Sequence, residues 1–340
     1  MHTPGLTDLQ VNGYAGVDFN DAGLTPDALD QALHAMLLAG VTRCLPTLIT
    51  APADVLRARF AALDRAVALS RLGPAMVPGF HLEGPFLNPA EGYAGCHPPE
   101  AMVFPSPALL DTLIADLRRP VLLLTLAADR DGAPETIAHA ARRNILVALG
   151  HTGPDTAAVQ QAVAAGARLC THLGNGMPRM LHKFTNPLWA QLAEDGLTAS
   201  FIADGIHIPP QALKIMLRAK TLDCAILVTD ATSAAATPPG LYDFAGMRIE
   251  HAADGSVRVP GAESLAGSAL RLDQAVRNVV TWGLATAEQA IAMASTTPNA
   301  LLASALDAHG IAAASGSVDW SSDLHVLRAE VGGYSVSNPR

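Results

Sequence analysis

The run Phe80-His81-Leu82-Glu83 ends an apolar stretch with two ionisable side chains two residues apart, and Gly84-Pro85 stops the run immediately afterwards. On a strand both side chains face the same way. A carboxylate buried there is costly unless something pairs with it. Residues of the same kind follow other apolar runs: His151 in ALGHTG, His172 in CTHLGNGM, Asp204 and His207 in IADGIH, Asp230 in LVTDAT. Glu83, His151 and His172 supply two imidazoles and a carboxylate, which leaves one position open on a tetrahedral zinc, the catalytic rather than the structural arrangement. Asp230 remains to accept a proton from water and donate it to a leaving amine. The chemistry this set suggests is metal-assisted hydrolysis. A lone histidine near a strand end is more often a hydrogen-bonded core or surface residue. Five runs each delivering His, Asp or Glu at the same end are hard to explain by packing.

The elements that must position these residues are readable as alternating strands and helices. Strands are expected at 6–11, 43–49, 76–83, 121–127, 145–150, 169–173, 198–204 and 225–231, and helices at about 25–39, 53–70, 107–118, 134–143, 154–165, 186–194 and 209–219. Thr25-Pro26 and Pro154-Asp155 read as helix starts. Eight such repeats predict a closed parallel (β/α)8 barrel, whose strand C-termini converge on one mouth where active sites are built. An open doubly wound sheet is the alternative, but no glycine-rich dinucleotide fingerprint follows the first strand. Beyond the eighth strand, residues 241–259 read as a hairpin around Asp254-Gly255. Helices are expected at about 265–282 and 286–295, and short strands at 315–336.

Composition narrows the class. The chain has 340 residues, half of them hydrophobic, and a formal charge of −9 with no Lys/Arg cluster, which argues against a nucleic-acid partner. No apolar run approaches the roughly 20 residues needed to cross a bilayer, and MHTPGLTDLQ lacks the regions of a signal peptide. Cys44, Cys96, Cys170 and Cys224 form no CxxC pair and read as reduced thiols of a cytoplasmic protein. Cys96, next to His97, reads as a small loop residue.

Seven motifs, GFHLEGPFLNP (79–89), GHTG (150–153), THLGNGM (171–177), ADGIH (203–207), LVTDA (227–231), LAGSAL (265–270) and ASTTPNALL (294–302), occur in this order. Together they resemble the N-acetylglucosamine-6-phosphate deacetylases of the amidohydrolase superfamily, from Gly5 to about Val331. The resemblance implies an α/β chain with an amidohydrolase (β/α)8 barrel at 5–305 and a tail at 306–340 that is the remnant of a small β-sandwich. It implies Glu83, His151 and His172 as ligands of one divalent ion, zinc first, with iron, cobalt or manganese as alternatives. Asp230 resembles the general base and acid, and His97 the histidine that holds the acetamide and stabilises its oxyanion. Asn175, Gly176 and His207 resemble substrate contacts, and a homodimer is implied. Where many amidohydrolases carry His-x-His for a second metal, this chain has Gln10-Val11-Asn12, so a single metal is expected. His81 is expected as a core or outer residue rather than a ligand.

Two departures stand out. The family's phosphate-gripping arginine is replaced by Lys183, followed by Phe184-Thr185-Asn186; lysine offers a point charge without arginine's bidentate fork. The first barrel strand also begins about five residues into the chain, which calls for a reduced small domain. The expected activity is deacetylation of an N-acetylated amino sugar, carrying a 6-phosphate. An unphosphorylated sugar or another N-acyl amine is the second enzymatic reading, and a non-catalytic sugar-binding barrel a third.

Overall fold

The computed structural model describes residues 1–312 and 314–338. Its centre is a ring of eight parallel strands: β1 (Leu6–Val11), β2 (Val41–Ile49), β3 (Phe80–Glu83), β4 (Val121–Leu126), β5 (Leu146–Leu149), β6 (Ala167–Cys170), β7 (Thr198–Phe201) and β8 (Ala225–Leu227). Neighbours follow chain order from β1 to β8. The ring closes just past β8, where Asp230 N–H donates to the Gln10 carbonyl (2.9 Å) and Asn12 N–H to the Ala231 carbonyl (2.7 Å). The expected barrel is therefore the observed fold.

The connecting helices begin where polar caps and prolines place them. Thr25, Ser106, Asp155 and Asn186 each accept a first-turn N–H, with Pro26, Pro107 and Pro187 opening three of these helices. Their apolar faces pack on the outside of the barrel, and the strands contribute Leu6, Leu45, Leu48, Phe80, Leu124 and Phe201 to the same fully buried core. Inside the barrel a polar chain crosses the strands. Thr47 Oγ1 meets His81 Nδ1 (3.1 Å), His81 Nε2 meets Thr125 Oγ1 (2.8 Å), and Thr125 Oγ1 meets Thr171 Oγ1 (2.7 Å). Both His81 nitrogens are thereby used, so this fully buried histidine is a tie within the barrel rather than a ligand.

The small sheet is completed by very little chain. His2–Pro4 pairs antiparallel with Gly316–Trp320, which is followed by Val326–Val331 and Tyr334–Ser337. Trp320 Nε1 donates to Thr3 Oγ1 (2.8 Å), and Gly5 N–H to the Gly316 carbonyl (2.9 Å). Three residues at the start thus supply one edge of this four-stranded sheet.

Asp254-Gly255 turns the antiparallel pair Met247–His251 and Val257–Arg258, as expected. A second tight turn precedes it at Ala245-Gly246, both at positive φ (52° and 85°), between Gly240–Phe244 and Met247–His251, so the expected hairpin is a three-stranded meander. Two local expectations need correction. Residues 265–271 are not helical; the helix starts at Leu272. A further helix, Thr296–Ala308, holds the ASTTPNALL motif, whose single proline at 298 lies in the first turn and is compatible with it.

Candidate active site

The mouth at the strand C-termini opens into a cavity of about 1060 Å³ that is lined by Glu83, His97, His151, His172, His207 and Asp230, among others. Glu83 ends β3, and its Oε1 lies 3.1 Å from His172 Nε2 and 3.4 Å from His151 Nε2. All three side chains are buried. His151 Nδ1 lies 2.7 Å from the Tyr93 carbonyl, which can only accept, so Nδ1 carries a proton and Nε2 is the nitrogen that faces Glu83. Burial alone would raise the Glu83 pKa, but hydrogen bonds from His151 and His172 hold its carboxyl well below the usual range. Burial alone would lower His172, yet Glu83 raises it. Two imidazole nitrogens converging on one carboxylate oxygen, buried and oriented, form a donor set that suits a divalent cation.

His97 joins the group: single atoms of Glu83, His97 and His151 lie within 4.8 Å of one another. Its ring is tilted against that of His151, with centroids 4.5 Å apart. Burial, then repulsion from His151, pushes its pKa down to about 3, so it is neutral. Its Nδ1 contacts Thr50 Oγ1 (3.0 Å), whose hydroxyl also reaches the Glu83 carbonyl (3.3 Å). Thr50 has one proton for these two acceptors, and where it goes decides whether His97 Nε2 donates or accepts.

Asp230 sits at the point of ring closure. Its Oδ1 accepts from Asn12 Nδ2 (2.7 Å) and Gln10 Nε2 (3.1 Å), while Gln10 Nε2 also reaches both Glu83 oxygens (3.1 and 3.2 Å). Gln10 therefore bridges the two carboxylates, and Asn12 holds Asp230 alone. Oδ2 is left for the cavity. Burial, reinforced by the Glu83 charge, raises Asp230 to about 6. Below it, fully buried Asp8 accepts the Thr229 hydroxyl (2.6 Å) and the N–H groups of Thr229 and Gln10. Asp8 escaped the sequence pattern, although its place two before Gln10 and four before Asn12 put it on the same strand face.

Three of these residues hold unusual backbone conformations: φ is +51° at His151, +32° at His172 and +50° at Asp230. Non-glycine residues rarely sit there, and the surroundings must over-determine them. They do so with glycines. A Cβ on Gly267, in LAGSAL, would lie 2.5 Å from Thr232 Cγ2 and 2.9 Å from the Asp230 carbonyl; one on Gly176 would lie 2.8 Å from His151 Nδ1. Ser268 completes the clamp, its hydroxyl donating to the Thr229 carbonyl (2.6 Å) and its N–H to that of Asp230 (2.9 Å).

Of the expected substrate contacts, Asn175, Gly176 and His207 line the cavity. Asn175 Nδ2 donates to the His172 carbonyl (3.0 Å), and Asp204 Oδ2 lies 2.6 Å from His207 Nδ1, fixing that ring. Lys183 is not brought in: it is exposed, outside the lining residues, with Nζ over the Phe184 ring. Cys96 does line the cavity, but burial and the charges of Asp230 and Glu83 push its thiol up to about 12, so it is no thiolate nucleophile. The cavity also contains Arg179, Arg258 and Glu263.

No family model matches the chain. It is 36% identical over 301 residues to an N-acetylgalactosamine-6-phosphate deacetylase of Escherichia coli O157:H7, a match that covers 88% of this chain and 77% of that one. It is 32% identical over 278 residues to an N-acetylglucosamine-6-phosphate deacetylase of Bacillus subtilis, covering 81% and 69%. Among solved structures, a Mycobacterium smegmatis N-acetyl-D-glucosamine-6-phosphate deacetylase variant in complex with N-acetyl-D-glucosamine-6-phosphate superposes with a TM-score of 0.88. That pair is 27% identical and covers 99% of this chain and 87% of the other. With such relatives and with the barrel, the buried Glu-His-His set and the clamped aspartate in place, the chain belongs to the N-acetylglucosamine-6-phosphate deacetylase family of amidohydrolases.

Proposed function

We propose that this chain hydrolyses the acetamide of an N-acetylated amino-sugar 6-phosphate to the free amine and acetate. The observation that carries the reading is the convergence of Glu83, His151, His172 and Asp230 on one cavity. Membership of the family implies a divalent metal, and Glu83, His151 and His172 would hold it, with zinc the ion that best suits two imidazoles and a carboxylate. When bound, such an ion lowers the pKa of a water and polarises a carbonyl.

The chain's own groups supply the rest. Asp230, held through Oδ1 by Asn12 and Gln10, takes a proton from the attacking water at Oδ2. It then delivers that proton to the amine nitrogen as the C–N bond breaks, so that water plus acetamide become acetate plus amine. His97 is placed to meet the acetamide oxygen, once the Thr50 proton turns to its Nδ1 and frees Nε2–H to donate. His207, with Nδ1 committed to Asp204, offers Nε2 to a sugar hydroxyl, as Asn175 offers Oδ1.

A second reading, deacetylation of an unphosphorylated acetamido sugar, is favoured by the position of Lys183 outside the cavity. The test is acetate release by zinc-loaded protein from N-acetylglucosamine and N-acetylgalactosamine, each with and without a 6-phosphate. Preference for the phosphorylated sugars is expected; equal or better turnover of the free sugars would establish the second reading instead. We also propose a cytoplasmic homodimer. Met180, Phe184 and Trp189 leave large apolar surface exposed beside the mouth, as an interface would; a single 35.2 kDa species in sedimentation would overturn this. Among the described residues no helix is long and apolar enough to cross a membrane.

A further inference from the structure

The cavity has two chemically different parts. Around the reacting centre lie histidines and carboxylates, whereas Arg179 and Arg258 are the only Lys or Arg side chains among the described lining residues. They come from separate segments, Arg179 from the loop after β6 and Arg258 from the short strand Val257–Arg258. Glu263 joins them. Arg179 Nη1 donates to Glu263 Oε2 (2.9 Å) and Nη2 to the Glu263 carbonyl (3.3 Å), while Arg258 Nη1 donates to that same carbonyl.

An anion entering this cavity meets Glu83, Glu91, Asp230 and Glu263 as well as the two arginines. Without the guanidinium groups the lining would repel it. The Arg179–Glu263 pair is largely solvated, with side chains 73% and 85% exposed, so it is a weak and readily exchanged contact. A phosphate dianion offers two guanidinium groups more charge and a bidentate fit that a single carboxylate does not.

On the deacetylase reading above, we propose that Arg179 and Arg258 grip the substrate 6-phosphate, and that Glu263 is a latch whose carboxylate the phosphate displaces. Arginine has thus not been lost from the phosphate end of the site. It comes from positions other than that of Lys183, and the latch sets the affinity. Glu263 holds the guanidinium groups together when substrate is absent and competes with phosphate when it arrives.

The latch makes opposite predictions for its two sides. Arg258→Met or Arg179→Met raises KM for the phosphorylated sugars about tenfold or more, the weight of a charge-assisted hydrogen bond, with kcat and the free-sugar values nearly unmoved. Glu263→Gln keeps the carbonyl contacts but removes the competing charge, so KM for the phosphorylated sugars falls several-fold. Calorimetry of glucosamine 6-phosphate against glucosamine, on the same proteins, reads the same ordering without turnover. Equal losses for phosphorylated and free sugars would overturn the proposal, as would a selective loss in Lys183→Met in place of the arginine variants. Wild-type protein that deacetylates none of the four sugars would instead remove the deacetylase reading itself.

Discussion

Asp230→Asn is expected to keep its metal and lose roughly 10³-fold or more in kcat, within the range that positioned acid–base groups contribute. The substitution is nearly isosteric. Oδ1 can still accept from Asn12 and Gln10, and the strained turn is still clamped by Ser268 and Gly267. What disappears is the basic oxygen at Oδ2. The same residue predicts the pH dependence. As base Asp230 must be ionised, so kcat/KM falls as pH drops through its pKa, which burial and the Glu83 charge place at about 6 when only protein surrounds it. A cation on Glu83 offsets that charge, so in the loaded enzyme the acid limb lies lower. The residual activity of the Asn variant lacks this limb. A variant with full turnover, or with an unchanged acid limb, would remove Asp230 from the proton-transfer role.

The eight-strand alternation was legible because each barrel strand is a short apolar run followed by a capped helix, and because the polar exceptions fall at the same end of each. Glu83, His151, His172 and Asp230 were found by that rule, and the structure places them around one cavity. What escaped the sequence were residues whose importance is created by long-range closure. Asp8 looks like any polar residue in LTDLQV until β1 meets the chain after β8 and puts it under Thr229. Arg258 ends the last short strand of the hairpin region and Glu263 lies in the irregular segment after it, and nothing local says that Arg179, about eighty residues earlier, will meet them. The turn at Ala245-Gly246 was hidden by a stronger turn signal at Asp254-Gly255. The Thr296–Ala308 helix was hidden by Thr296, Thr297 and Pro298, residues that read as loop unless they occupy a first turn.

His172→Asn and His97→Asn separate the ligand from its neighbour, because the site offers four candidate donors for an ion that needs three from the protein. His172 projects from the end of β6, its strained backbone held by an N–H bond to Ser200 Oγ (2.7 Å), and its Nε2 contacts the Glu83 oxygen that His151 also faces. His97 lies in the loop after β3, tied through Thr50. Ligands are better held by regular elements than by loops, and a neutral His97 is better used at the acetamide. His172→Asn should therefore lose stoichiometric zinc and nearly all activity. Loss of an outer partner alone costs about 10–100-fold in metal affinity, and loss of a direct ligand costs more. His97→Asn should keep one ion per chain, keep the rise in melting temperature on zinc addition, and still fall about 10²-fold in kcat, as when one oxyanion donor is removed. Metal content after dialysis and melting curves with and without zinc decide the matter before any substrate is added. A reversed pattern, with zinc lost from His97→Asn and retained in His172→Asn, would make the ligand set Glu83, His97 and His151, the compact trio of the site. The acetamide oxygen would then need another donor, and Asn175 or His207 would be the residues left to provide it.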